Sequence, residues 1–119
     1  MEKASTHIKI DHSVIKIITS SDYEYTKETL YSLADTISKE AQLNVVEKCY
    51  YAYPVQGETL VYILSESSLV LHTWPEHSFI YVDLLTGNTN LKYDQIEKAI
   101  RGLKGIVSIQ SQEVSNQVL

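Results

Sequence analysis

Apolar residues recur along this chain with two periods, and the switches between them divide it into elements. Ile8 to Ile18 is rich in β-branched residues, with Ile8 and Ile10, then Val14, Ile15, Ile17 and Ile18 supplying apolar faces, and it reads as a first strand. Ser20-Ser21-Asp22 follows as a turn with a helix N-cap. From about Glu24 to Ala41 the period turns helical. Leu30, Leu33, Ile37 and Ala41 share one face with Ala34 alongside, against Lys27, Glu28, Asp35, Lys39 and Glu40 on the other. Asn44 to Tyr53 is a second strand, Pro54-Val55-Gln56-Gly57 is turn chemistry, and Leu60 to Leu64 is a third, apolar strand. A short fourth strand, Leu69 to Thr73, ends at a turn from Trp74 to Ser78, and Phe79 to Leu85 reads as a buried fifth. Gly87-Asn88-Thr89-Asn90 gives a turn and a second N-cap. Tyr93, Ile96, Ala99, Ile100 and Leu103 mark a helix ending at Gly102 or Gly105. Ile106 to Val114 is a last strand, and the tail Ser115 to Leu119 reads as frayed. This order predicts an α/β (α+β) two-layer sandwich, one mostly antiparallel sheet with both helices on one face. The other sheet face is left to be covered, which suits a homodimer.

Composition narrows the picture without changing it. At 119 residues the chain has room for one core, so residues 1–119 are expected to form a single domain. Its 44% hydrophobic and 21% charged residues are those of an ordinary soluble globular protein. A net charge of -5 and the lack of any Lys or Arg run argue against a nucleic-acid surface. No apolar stretch approaches a membrane span, and Met1 to Thr6 has no signal-peptide pattern. Cys49 is the one cysteine, so no intramolecular disulfide can form and a reducing cytoplasm is the expected setting. Cys49 itself reads as a small buried hydrophobe, and no metal site is expected. Nine tyrosines against one Phe and one Trp suit interfaces and half-buried sheet faces.

The chemistry concentrates between Ser65 and His77. Alternation along Leu69-Val70-Leu71-His72-Thr73 puts Leu69, Leu71 and Thr73 on one face and Val70 and His72 on the other. Pro75 has no N–H for a ladder, so it ends the strand or lies at an edge. The pattern alone yields a candidate site: a histidine towards a strand end, a carboxylate beside it, and a serine pair one short strand away.

Glu66-Ser67-x-x-x-x-His72-Thr73-Trp74-Pro75-Glu76-His77, followed by Val82-Asp83-Leu84-Leu85-Thr86, resembles the prokaryotic S-adenosylmethionine decarboxylases. That family carries a Glu-Ser-His-x-x-x-His-[Thr/Ser]-[Trp/Phe/Tyr]-Pro-Glu block and then a Val-Asp-x-[Phe/Tyr]-Thr-Cys-Gly block. The likeness takes in the Gln56-Gly57 turn, and its specific part runs from Gly57 to Thr86. The resemblance implies a proenzyme that processes itself. Ser67 would attack the carbonyl of Glu66, and the chain would part into a β chain, 1–66, and an α chain, 67–119, whose first residue becomes a pyruvoyl group. That self-made cofactor forms a Schiff base with the substrate amine and takes up the electrons of the departing carboxylate. By the same resemblance His72 is the base in processing, Thr59 an assisting hydroxyl, Glu76 the acceptor for the substrate's ribose, and Tyr53 the aromatic against its adenine. The implied activity is decarboxylation of S-adenosylmethionine for polyamine (spermidine) synthesis, by a homodimer of processed αβ units.

Two departures from the family pattern bear on the chemistry. Ser68 stands where the family has the histidine of Glu-Ser-His, and Gly87 stands where it has the cysteine of Thr-Cys-Gly. That thiol assists processing and protonates the substrate carbon, so here the proton would come from water, His77, Thr86 or Asn88. Two other readings therefore stay open: a pyruvoyl-dependent decarboxylase of arginine or ornithine, and a non-processing paralogue that pairs with an active partner.

Overall fold

A computed structural model describes residues 9–88 and 90–118. Ile8 of the expected first strand, Thr89 of the expected turn and Leu119 of the tail lie outside these. The described residues form six strands, β1 (Lys9–Thr19), β2 (Val45–Ala52), β3 (Glu58–Leu64), β4 (Ser68–Trp74), β5 (Phe79–Thr86) and β6 (Ile106–Val118), and two helices, α1 (Lys27–Glu40) and α2 (Tyr93–Arg101). One 3₁₀ turn, Pro75–His77, links β4 to β5. The strands make a single sheet in the order β2-β3-β4-β5-β1-β6, and every neighbouring pair is antiparallel. The expected α+β sandwich is therefore the observed one, with β4 and β5 at its centre.

Period-two alternation decides which face of the sheet is buried. Leu60, Tyr62 and Leu64 of β3, Leu69 and Leu71 of β4, Ile80, Val82 and Leu84 of β5, and Ile15 and Ile17 of β1 form one apolar cluster. Leu30, Leu33, Ala34 and Ile37 of α1 and Ile96 and Ile100 of α2 close over it. Each helix contributes the face that its 3.6-residue repeat makes apolar. A fully buried Leu or Ile contributes about 2 kcal/mol of transfer free energy, so this layer is the main source of cohesion.

The opposite face is bare. Its exposed residues include Ile18, Tyr51, Ile63, Trp74 and Leu85, and among them His12 Nε2 lies 3.1 Å from an Asp83 carboxylate oxygen.

Three boundaries differ from the sequence reading. Helix α1 is capped by Thr26, not in the Ser20-Ser21-Asp22 turn: the Thr26 hydroxyl accepts from the Thr29 N–H, and the Thr29 hydroxyl accepts from the Thr26 N–H. At the second helix the N-cap is Lys92, with no side-chain cap, in place of the expected polar cap near Asn90. The tail is not frayed over 115–118, because β6 continues along β1, with Lys9 opposite Val118. Just before β6, Gly105 has φ +85, and a Cβ there would meet the Tyr23 ring at 2.7 Å, so both backbone and space require glycine.

Candidate active site

Strand β4 places His72 on the open face, opposite Thr59 of β3 and Tyr81 of β5. The alternation that buries Leu69, Leu71 and Thr73 against the helices turns His72 outward. Its Nδ1 lies 3.0 Å from Thr59 Oγ1, which lies 3.0 Å from the Tyr53 hydroxyl. The chain Tyr53–Thr59–His72 can run in either direction, since both hydroxyls donate and accept. Run one way it leaves His72 with a bare Nε2, and run the other way with an Nε2–H. Tyr53 is held there by the preceding turn, where its N–H donates to the Gly57 carbonyl at 2.9 Å. Gly57 has φ +97, a conformation L side chains avoid. Glu76, presented by the 3₁₀ turn, and Trp74 complete a cleft of about 200 Å³ with these residues. The Trp74 ring lies 5.9 Å from the His72 ring, tilted at 49°.

Glu66 and Ser67 sit elsewhere. They form the turn between β3 and β4, pinned by Leu64 N–H donating to the Ser67 carbonyl at 2.9 Å and Ser65 N–H donating to the Asn44 carbonyl at 3.0 Å. This turn faces the end of β5, and the two border a second cleft of about 220 Å³ together with Gln42, Leu43 and Asn44. Thr86, Gly87 and Asn88 form its other wall. There the Thr86 hydroxyl accepts from the Asn88 N–H at 3.0 Å, and the Asn88 side chain donates to the Ala41 carbonyl at 3.2 Å. Five residue steps along the chain separate Ser67 from His72, about 17 Å at roughly 3.3 Å per residue.

A sequence profile for the family described as S-adenosylmethionine decarboxylase matches residues 8–116. This chain belongs to the S-adenosylmethionine decarboxylase family. The S-adenosylmethionine decarboxylase proenzyme of Thermoplasma volcanium is 34% identical over 80 residues, which are 66% of this chain and 62% of that relative. The proenzyme of Aquifex aeolicus is 34% identical over 77 residues, 64% of this chain and 57% of the relative. The chain thus aligns with less than two thirds of the length of these relatives. The crystal structure of the adenosylmethionine decarboxylase from Aquifex aeolicus has the same fold, with a TM-score of 0.71 at 24% identity over 92% of this chain and 90% of that one.

In this S-adenosylmethionine decarboxylase family member, the residues singled out from sequence divide between two places. Tyr53, Thr59, His72 and Glu76 meet in the first cleft, and Glu66 and Ser67 line the second with Gly87. Among the proposed proton sources, Thr86 and Asn88 are already engaged in hydrogen bonds near Gly87, and His77 is exposed at the far end of β4. Cys49 is exposed, not buried, because β2 is an edge strand and Cys49 pairs with Val61 on the open face. Among the described residues no group of three or more His, Cys, Asp or Glu could hold a metal ion, and no helix is long and apolar enough to cross a membrane.

Sequence reasoning missed Glu58. The turn was expected to end at Gly57 and the third strand to start at Leu60, but Glu58 begins β3, 6% exposed, with its N–H donating to the Thr73 hydroxyl at 2.8 Å. One carboxylate oxygen accepts from the Tyr50 hydroxyl, and the other is buried with no partner among the described residues. Burial, and then the hydrogen bond and charge of Glu58, push the Tyr50 phenol up to about 12. The signal that could have found it is the alternation itself, since Glu58 is in phase with Leu60, Tyr62 and Leu64.

Proposed function

We propose that this chain is a proenzyme that cleaves itself between Glu66 and Ser67, carries a pyruvoyl group made from Ser67, and decarboxylates S-adenosylmethionine in polyamine synthesis. The observation that carries the reading is the convergence of Tyr53, Thr59, His72 and Glu76 on one cleft, with His72 Nδ1 held by Thr59 at 3.0 Å. Each of these residues occupies the position at which the family resemblance assigns it work. An imidazole fixed at one nitrogen presents the other as a base near neutral pH. Glu76 offers a carboxylate for two hydroxyls, and Tyr53 offers a ring face for a purine.

The cleavage turn suits formation of the group. Ser67 is half-buried on a cleft with room for a small acyl cap, and its own carbonyl is tied down by the Leu64 N–H. Attack of Ser67 Oγ on the Glu66 carbonyl carbon breaks the peptide C–N bond and leaves an ester and a free amine. Loss of the Ser67 α-proton then breaks the Cβ–Oγ bond and releases residues 1–66 with a new carboxylate. The dehydroalanine so formed takes a proton at Cβ as its nitrogen loses one, and water hydrolyses the resulting imine to the ketone with loss of ammonia. Once formed, the group supplies a carbonyl that condenses with a substrate amine and accepts the electrons of the departing carboxylate.

The working site is built from two copies of the chain. Within one copy Ser67 and His72 lie at opposite ends of β4, about 17 Å apart by strand rise. A second copy laid head to tail over the open face would carry its Tyr53–Thr59–His72 end to the first copy's cleavage turn, and would cover Ile18, Ile63 and Leu85. The test is an intact-mass measurement with a carbon dioxide assay. The expected result is two fragments split at Glu66–Ser67, an unsplit Ser67→Ala variant, and faster release of labelled CO₂ from S-adenosylmethionine than from arginine or ornithine. A wild-type chain that stays whole on prolonged incubation would sink the reading.

A further inference from the structure

Gly87 is not a glycine that its backbone requires. Gly57 and Gly105 hold left-handed φ angles, but Gly87 does not, so an L side chain would fit its conformation. The reason for its missing side chain lies in the space in front of it. A Cβ built on Gly87 would lie 3.3 Å from Glu66 Oε2, tighter than nine in ten real contacts of that kind. A side chain at 87 would therefore press on the Glu66 carboxylate and move it by a few tenths of an ångström. The backbone on both sides of this contact is held, one side by the Leu64–Ser67 and Ser65–Asn44 backbone hydrogen bonds, the other by Thr86 and Asn88. The cleft they share is walled by the α1–β2 loop, the end of β3 and the end of β5, and Glu66 is the one titratable side chain among its lining residues.

We propose that the Glu66 side-chain carboxylate is the proton-transfer group for cleavage of Glu66's own peptide bond, and that Gly87 keeps the space it works in. The inference rests on the reading that the chain cleaves itself at Glu66–Ser67. As Ser67 Oγ bonds to the Glu66 carbonyl carbon, the hydroxyl proton passes to the carboxylate. As the C–N bond breaks, the same carboxyl returns that proton to the Ser67 nitrogen. This acyl shift ends with ester, amine and an ionised carboxylate, and it leaves removal of the Ser67 α-proton in the later elimination to His72. A carboxylate is ionised and ready for the first transfer at neutral pH.

The experiment follows fragment formation by mass in wild type, Ser67→Ala, Glu66→Gln, Gly87→Ala and the Glu66→Gln/Gly87→Ala pair. Glu66→Gln should slow cleavage by on the order of 10²-fold, the lower end for a positioned acid–base group. Gly87→Ala should slow it at least tenfold by crowding the carboxylate aside. The double variant should be no slower than Glu66→Gln, since both changes remove one interaction. Circular dichroism and melting checks the fold, which an exposed Glu66 does little to hold. Either single variant cleaving at the wild-type rate overturns the proposal while leaving self-cleavage intact, as does a double variant slowed by the product of the singles. A wild type that never cleaves overturns both readings together.

Discussion

Thr59 Oγ1 stands 3.0 Å from both His72 Nδ1 and the Tyr53 hydroxyl, so one threonine sets the imidazole and the tyrosine at once. The pairing follows from register: Thr59 and His72 are directly opposed across β3 and β4 and face the same open side. Thr59→Val removes the hydroxyl at nearly constant shape and should slow self-cleavage roughly fivefold to tenfold, the scale of one hydrogen bond worth about 1 kcal/mol. Thr59→Ser keeps the oxygen and should stay within about twofold of wild type. Equal rates for Val and Ser would show that His72 needs no partner at Nδ1.

Gly57 links the turn to that same cleft. Its φ of +97 and the 3.2 Å approach of the Thr73 carbonyl to a built Cβ both penalise a side chain. Gly57→Ala should cost about 1–3 kcal/mol, the range for a residue held in a disfavoured backbone region. The strain falls on the turn that carries Tyr53, so cleavage or substrate binding should suffer more than the melting temperature does. Urea denaturation beside a cleavage assay separates the two, and unchanged stability would show that the turn relaxes freely.

Much of this was legible because burial imposes a period. Leu69, Leu71 and Thr73 were separable from Val70 and His72 by alternation alone, and the structure buries the first set. The start of α1 was not, because its capping box uses Thr29 at the third position where Glu or Gln is the usual signal. The end of β6 is also silent. Ser115-Asn116-Gln117 carries no apolar residue, and the backbone pairing that holds it to β1 is one that no side-chain period encodes. Cys49 went astray because a small apolar residue on an edge strand has an open side. The separation within the motif was legible as well: the serine pair was expected one short strand from the histidine, and β4 keeps Ser67 and His72 that far apart.

Tyr93 predicts an alkaline limit to stability. Its hydroxyl donates to Asp11 Oδ1 at 3.1 Å and pairs with Ser13, and Asp11 is 3% exposed. Burial first, then the charge of Asp11, push the phenol up to about 12, against an ordinary value of 10.0. The folded chain therefore keeps a proton that the unfolded chain releases earlier. Stability from this group is full below about pH 10 and is lost as pH rises towards about 12, because the unfolded state then binds fewer protons. Tyr93→Phe should be destabilised by about 1–2 kcal/mol at pH 8, since it leaves Asp11 short of a donor. It should also lose less between pH 9.5 and 11.5 than wild type does, a window set by those two pKa values. Urea midpoints across that range decide the matter. Parallel curves would mean that the hydroxyl is already free of Asp11.

Placing Ser67 and His72 at opposite ends of β4 leads to a prediction about mixing. If each working site takes its serine from one copy and its histidine from another, Ser67→Ala and His72→Ala chains should each fail or nearly fail to cleave alone. A mixed pair holds one site with both residues intact, made of Ser67 from the His72→Ala chain and His72 from the Ser67→Ala chain. Its other site has neither. Co-refolding the two variants should therefore split only the His72→Ala chain, and at most the fraction of it found in mixed pairs, about half at equal amounts with random pairing. A mass tag on one variant tells the chains apart. His72 is half-buried on the open face and contributes little to the core, so its loss should leave the fold in place for this test. Cleavage of His72→Ala alone at the wild-type rate would remove His72 from processing. No cleavage in the mixture, with mixed pairs demonstrated by cross-linking, would mean that both residues act within one chain and that β4 must bend to bring them together.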